Sequence, residues 1–155
     1  MMNINKTSEL LNTLLSQTNK KSEKKVYNCF IRTLSSLNNK GLTGEQSQLI
    51  EEKLSSLNLN TVTENRKKFY KQKLSEFKAF LKNEFSFTSE KYYTEIWMVY
   101  GMIFGTGIGI SIGTAIGAGL GTSIGLSIGT GVGMVLGMVY GSRKDAEAKR
   151  QGKVI

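Results

Sequence analysis

No charged residue occurs between Glu95 and Arg143, an interval of 47 residues from Ile96 to Ser142. Few water-soluble folds contain an uncharged stretch of that length, whereas a bilayer demands one. Within it glycine stands at every fourth position without a gap: Gly101, Gly105, Gly109, Gly113, Gly117, Gly121, Gly125, Gly129, Gly133, Gly137 and Gly141. Three more, Gly107, Gly119 and Gly131, follow one another at twelve-residue intervals, so that GTGIGISIGTAI, GAGLGTSIGLSI and GTGVGMVLGMVY align as three repeats. A flexible glycine-rich linker does not hold such a phase.

Glycine at i and i+4 leaves one face of a helix without side chains, and a second helix can approach that face until backbones touch. In lipid no hydrophobic force drives helices together, so close dispersion contact decides association. The cost of glycine in a helix, roughly 1 kcal/mol per residue in water, is overridden where the backbone must satisfy its own hydrogen bonds. A second period competes with this reading. From Gly105 to Met134 the odd positions are Gly, Ser or Ala and the even ones mostly Ile, Leu, Val or Thr, an alternation that a membrane-inserting β-hairpin would also show. Glycine is depleted in strands and gives them nothing to pack, so helix is the reading adopted.

One helix of that length would extend roughly 70 Å at 1.5 Å per residue, against a hydrocarbon core of about 30 Å. Two spans of roughly 21 residues each fit that thickness, with a turn near 117–121. Tyr92, Tyr93, Trp97, Tyr100 and Phe104 stand at the entrance and Tyr140 at the exit, and no aromatic residue lies between them. A hairpin brings both groups to one interface, where an aromatic belt belongs. Lys91 and the cluster Arg143, Lys144, Lys149, Arg150 and Lys153 flank the same ends, while the turn carries no cation. The positive-inside tendency then puts both termini in the cytoplasm and the hairpin in an inner or cytoplasmic membrane. Ile108, Ile112, Ile116, Ile124, Ile128, Val132 and Leu136 are suited to face acyl chains.

The expected fold is all-α: a basic helical bundle over residues 1–90, the two-helix hairpin over 91–142, and a basic tail over 143–155. The bundle rests on four stripes at three-four spacing. They are Leu10, Leu11, Leu14 and Leu15; then Val26, Tyr27, Phe30, Ile31 and Leu34; then Leu49, Ile50, Leu54 and Leu57; then Phe69, Tyr70, Leu74, Phe77, Phe80 and Leu81. Thr43 and Gln46 are placed as a capping box opening the third helix. Ser86 to Ser89 read as a second start signal ahead of the hairpin. The first twenty residues hold no signal-peptide core.

The chain carries a net charge of +9, which favours acidic partners. Candidate anionic-surface contacts are Lys20, Lys21, Lys24 and Lys25, then Arg66, Lys67, Lys68, Lys71 and Lys73, and finally Arg143 and Lys144. In the second group Phe69 and Tyr70 interleave with the cations, as in single-strand nucleic-acid sites. The plainer reading turns these rings into the core and leaves the cations solvated. Lipid headgroups rank ahead of nucleic acid as the acidic partner.

With no histidine and the lone thiol of Cys29, the usual general bases, imidazole or zinc sites and internal disulfides are absent. Gly-x-Gly runs without a following Gly-Lys-Ser/Thr are not a phosphate loop. No enzyme, metal or cofactor is expected. The glycine series from Gly101 to Gly141 resembles the glycine-zipper membrane families. That resemblance implies close-packed helical oligomers, channels or membrane-perturbing toxins. The expected function is therefore an oligomerising pore-forming or membrane-perturbing effector, with Ser111, Thr114, Thr122, Ser123, Ser127 and Thr130 as candidate lumen residues and the bundle as a regulatory or delivery domain. The alternative is a non-toxic anchor whose bundle recruits a protein partner and whose hydroxyls bond to their own helix carbonyls.

Overall fold

In the computed structural model, which describes residues 2–61, 65–117 and 120–155, the chain is all-helical. Six helices are present among the described residues: α1 (Ile4–Gln17), α2 (Lys21–Asn38), α3 (Gly44–Ser56), α4 (Arg66–Phe85), α5 (Tyr92–Ile116) and α6 (Leu120–Arg150). They fall into two compact units, Met1–Phe87 with Ile155 and Thr88–Val154.

In the first unit α1–α4 share one apolar core. Leu11, Tyr27, Phe30, Leu34, Ile50, Leu54, Leu57, Phe77 and Leu81 are fully buried there. Leu37 and Leu59, which the stripes left out, are buried too, while Leu49 is exposed. Tyr27 and Tyr70 are fitted edge to face, as ring quadrupoles favour, with centroids 5.1 Å apart at 85°. The Tyr70 hydroxyl donates to the Leu59 carbonyl at 2.7 Å, and burial pushes both tyrosines above their ordinary pKa. Side-chain oxygens start three of the helices. Asn3 accepts from the Lys6 amide at 2.8 Å, and Asn65 from that of Lys68 at 3.2 Å. Thr43 and Gln46 form the reciprocal capping box, which meets two amides the helix itself leaves orphaned.

Lys53 of α3 and Lys73 of α4 both reach Glu76, at 2.7 and 3.3 Å. Their hydrogen bonds hold the Glu76 carboxyl below its ordinary value of 4.5. A depressed carboxyl stabilises the fold above its unfolded pKa, and that contribution disappears as pH falls through the lower folded value. Glu76 is 41% exposed, so the contribution is screened and no larger than about 1 kcal/mol. Glu76→Gln is therefore expected to raise amide exchange in α3 and α4 several-fold at neutral pH. Below the depressed value it should match the parent. A difference that persists into strong acid would show that the ion pairs are not its source.

The second unit is an antiparallel pair, α5 of 25 residues and α6 of 31. Both are long and apolar enough to cross a membrane. The glycine series is helical on both sides of Gly117, so the alternation of small and aliphatic residues does not produce strands; each fourth glycine instead marks one helical face. The turn expected near 117–121 includes Ala118 and Gly119, which lie outside the described residues. Gly117 ends α5. Past residue 142 the charged segment extends the second helix, as Ser142 to Gln151 are suited to do: α6 runs on through Arg143 and Lys144 to Arg150. Beyond it, the Lys153 carbonyl accepts from the Thr88 amide at 2.8 Å, and Thr88 and Val154 form an isolated parallel bridge.

Candidate functional site: the glycine seam and the faces around it

The glycines of α5 lie on those of α6 in a register that runs symmetrically about Gly117. Gly101 meets Gly133, Gly105 meets Gly129, Gly109 meets Gly125, and Gly113 meets Gly121. Further along, Gly137 lies against Trp97 and Gly141 against Thr94. A Cβ added at any of these positions would fall on backbone of the opposite helix, closer than 3.0 Å to an atom that cannot turn aside. This contact requires glycine at every step, because an antiparallel register steps along both helices by one turn at a time. Of the eleven expected packing glycines, Gly117 is the exception. A Cβ there would meet nothing within 4 Å, because the chain is leaving the helix at that point.

The same seam consumes the series that was expected to drive assembly between copies. Each glycine face is already covered by the other helix of its own chain, so oligomerisation would have to use another surface. Gly107 and Gly131 have nothing within 4 Å of an added Cβ and belong to an outward row. That row continues through Ser111 and Ala115 on α5, and through Ser127 and Ser123 on α6, all exposed.

The six candidate lumen residues do not gather on one face. Ser111, Ser123 and Ser127 lie on the outward rows. Thr114, Thr122 and Thr130 lie one position over, on the flank where the Oγ atoms of Thr106 and Thr130 meet across the two helices at 2.8 Å. Most of these hydroxyls bond along their own helix. Ser111 donates to the Gly107 carbonyl at 2.9 Å, Thr114 to Ile110 at 3.0 Å, Ser127 to Ser123 at 3.0 Å and Thr130 to Leu126 at 2.7 Å. Such back-bonding is the means by which Ser and Thr are accommodated in an apolar helix. Met98 and Met102 of α5, and Met134 and Met138 of α6, are half-buried on the same flank.

On the opposite flank the narrow seam leaves an apolar groove of about 350 Å³. Trp97, Tyr100, Phe104 and Ile108 wall it on one side, Val132, Leu136 and Tyr140 on the other, over a floor of Gly101, Gly105, Gly129 and Gly133. Trp97 and Tyr140 close the end nearest the charged residues, with ring centroids 4.4 Å apart. Elsewhere the large side chains point away from the pair. Ile116 is 78% exposed, and Ile112, Ile124 and Ile128 are exposed too. In the most apolar window of each helix only 11% and 6% is buried. The apolar surface of both helices is therefore largely uncovered, unlike that of a helix packed in a core.

The open end of the pair is held by a residue that the sequence did not single out. The carboxylate of Asp145, on α6, accepts from the Tyr93 and Thr94 amides at 2.9 Å each and from the Thr94 hydroxyl at 2.6 Å. The cap position of α5, Lys91, has left-handed φ and caps with no side chain of its own. Asp145 therefore caps α5 from the other helix, meeting orphaned amides at the positive end of the helix dipole. Ser86, the first residue of the expected start signal, ends α4 in the left-handed conformation with φ 57°, while at the signal's other end the Ser89 carbonyl accepts from the Tyr92 amide at 3.1 Å as α5 begins. The carboxylate could be found in the sequence only as the first acid after the uncharged run.

Lys20 pairs with Glu23 at 3.6 Å, Lys73 with Glu76 and Lys144 with Glu147. Lys21, Lys25, Lys67, Lys68, Lys71 and Arg143 are exposed, while Lys24 and Arg66 are half-buried. Tyr70 is buried, and Phe69 packs against the core with its ring edge-on to Tyr70. Of the two rings only Tyr70 is fully withdrawn into the core; Phe69 is half-buried. Among the described residues no group of His, Cys, Asp and Glu is placed to hold a metal ion. Compared with protein-family models, curated proteins and solved structures, the chain matches none of them.

Proposed function

We propose that the chain is an integral membrane protein in which α5 and α6 cross the bilayer as a self-sealed hairpin, an anchor that displays the N-terminal unit to a cytoplasmic protein partner. The observation that carries this reading is the pairing of an inward face made of glycine with an outward face of exposed aliphatic side chains and no charge. In water that exposed surface would far exceed the apolar patches that soluble monomers tolerate. In lipid it is the required surface. Lys91, Arg143 and Lys144 at the open end favour a cytoplasmic position for both termini. The basic N-terminal unit adds attraction to an anionic leaflet through Lys21, Lys25, Lys67, Lys68 and Lys71. Catalysis forms no part of this proposal.

The anchor reading is preferred to the pore because the four-residue glycine series is spent within one chain and the hydroxyls bond to their own helices. The outward row of Gly107, Ser111 and Ala115, matched by Ser123, Ser127 and Gly131, supports the second reading, an oligomeric membrane-perturbing effector. Small residues at that spacing let helices of separate hairpins approach closely.

Alkaline carbonate extraction followed by dye release from liposomes separates these outcomes. The anchor is expected to remain in the membrane pellet and leave the dye in place. Release that is abolished by Gly107→Leu and Ser127→Leu would establish the effector instead. Recovery of the protein in the carbonate supernatant would refute both.

A further inference from the structure

We propose that the groove between α5 and α6 holds one acyl chain of an anionic phospholipid, drawn from the leaflet at the open end of the hairpin. This rests on the membrane-spanning reading above and adds a ligand to it. From Trp97 to Ile108 the groove follows α5 for about 16 Å at 1.5 Å per residue. Half of a hydrocarbon core of about 30 Å is nearly the same length. The groove begins at the Trp97–Tyr140 pair, where an interfacial belt sits, and ends near mid-membrane. Its walls are almost entirely aliphatic and aromatic carbon. Its glycine floor has no side chain to occupy the space, so a flexible chain can lie against the backbone itself. The other flank offers no such channel, because Thr106 and Thr130 meet across it.

The headgroup preference comes from Lys144. It lies one helical turn beyond Tyr140, on the row that carries Leu136 and Val132, and so stands over the mouth of the groove. Its present partner is Glu147 at 3.1 Å, with both side chains about half exposed. A pair of that kind contributes little, and a lipid phosphate can take its place. The occupant is thus defined at both ends, by an acyl tail as long as the groove and a negative headgroup at the cation. A second copy of the hairpin would fill the groove without needing the charge.

Trp97 is the only tryptophan of the chain and reports on the groove directly. The full chain is reconstituted in phosphatidylcholine vesicles containing a small fraction of lipid brominated along its acyl chains, either phosphatidylglycerol or phosphatidylcholine. Flotation of the vesicles first establishes that the chain is inserted. The brominated anionic lipid is expected to quench Trp97 with an apparent affinity about fivefold above that of the zwitterionic one, the preference a single lysine near the membrane surface provides. Lys144→Gln, which leaves the groove intact, should equalise the two lipids. Val132→Phe, which fills the groove, should remove the high-affinity quenching while leaving the weak effect of surrounding lipid. Equal quenching by both lipids in the parent overturns the proposal, as does a preference that survives Val132→Phe. Shielding of Trp97 from both lipids in floated protein also overturns it and assigns the groove to a second copy. A chain that does not float refutes the membrane reading itself, a separate outcome.

Discussion

Replacing Gly105 with leucine is expected to separate α5 from α6, at a cost of ~3 kcal/mol or more, the upper range for forcing side-chain volume into a closely fitted interior. The new side chain would be driven into the Gly129 carbonyl and the Gly133 Cα. Backbone on a helix has no rotamer to change, so the helices must part along several turns. Gly129→Leu should do the same from the other side, where the obstacle is backbone at Gly105 and Gly109. Gly107→Leu is the control, two residues from the seam in sequence but with nothing within 4 Å. It should be neutral, because in lipid the backbone keeps its own helical hydrogen bonds whichever side chain is present. The measurement is crosslinking between cysteines placed at Thr106 and Thr130, whose hydroxyl oxygens are 2.8 Å apart, with Cys29 replaced by serine. The crosslink should form in the parent and in Gly107→Leu and fail in Gly105→Leu and Gly129→Leu. Efficient crosslinking in all four would mean that the seam does not depend on bare backbone.

Removing the carboxylate in Asp145→Ala should open the charged end of the hairpin by about 3 kcal/mol, since a hydrogen bond to a charged group contributes roughly 1.5–3 kcal/mol and more than one is lost. Two amides at the start of α5 would lose their acceptor, and the helix dipole would lose its counter-charge. Asp145→Asn keeps the shape but removes the charge and one of the two acceptor oxygens, and should fall between alanine and the parent. Thr94→Val removes only the hydroxyl bond of 2.6 Å and should cost the least. Amide exchange at Tyr93 and Thr94 reads this directly. The expected order, fastest first, is alanine, asparagine, valine, parent. Exchange at those two amides that is indifferent to Asp145 would show that α5 is capped by other means.

The extent to which the sequence revealed this arrangement differs between its parts. In the N-terminal unit the stripes at three-four spacing identified most of the core, since a residue such as Phe30 or Phe77 can be removed from water only on the buried side of its helix. Leu49 was placed on such a stripe and is exposed, while Leu59 lies beyond the end of α3 and is buried. Leu59 departs from the pattern because burial beyond a helix end is set by the path of the following chain, whereas Leu49, in the middle of α3, lies one position off the buried row of Ile50, Leu54 and Leu57. The capping box at Thr43 was legible because both of its partners lie within one turn. The cap of α5 was not, because Asp145 is 52 residues from Tyr93. No local rule connects an acid after the uncharged run with an amide before it.

Two facts were fixed by the amino-acid order alone: an uncharged interval too long for one span, and glycine in phase with the helical turn through all of it. Those follow from bond geometry and solvation, and each can be counted along the chain. Which helix lies opposite each glycine was decided only by the tertiary structure, because a one-turn period allows a face to pair equally well with its own chain or with another. The antiparallel register centred on Gly117 spends the glycine face inside the hairpin. By doing so it leaves the aliphatic side chains, the outward small-residue rows and the groove beneath Trp97 as the surfaces that remain for lipid or a partner.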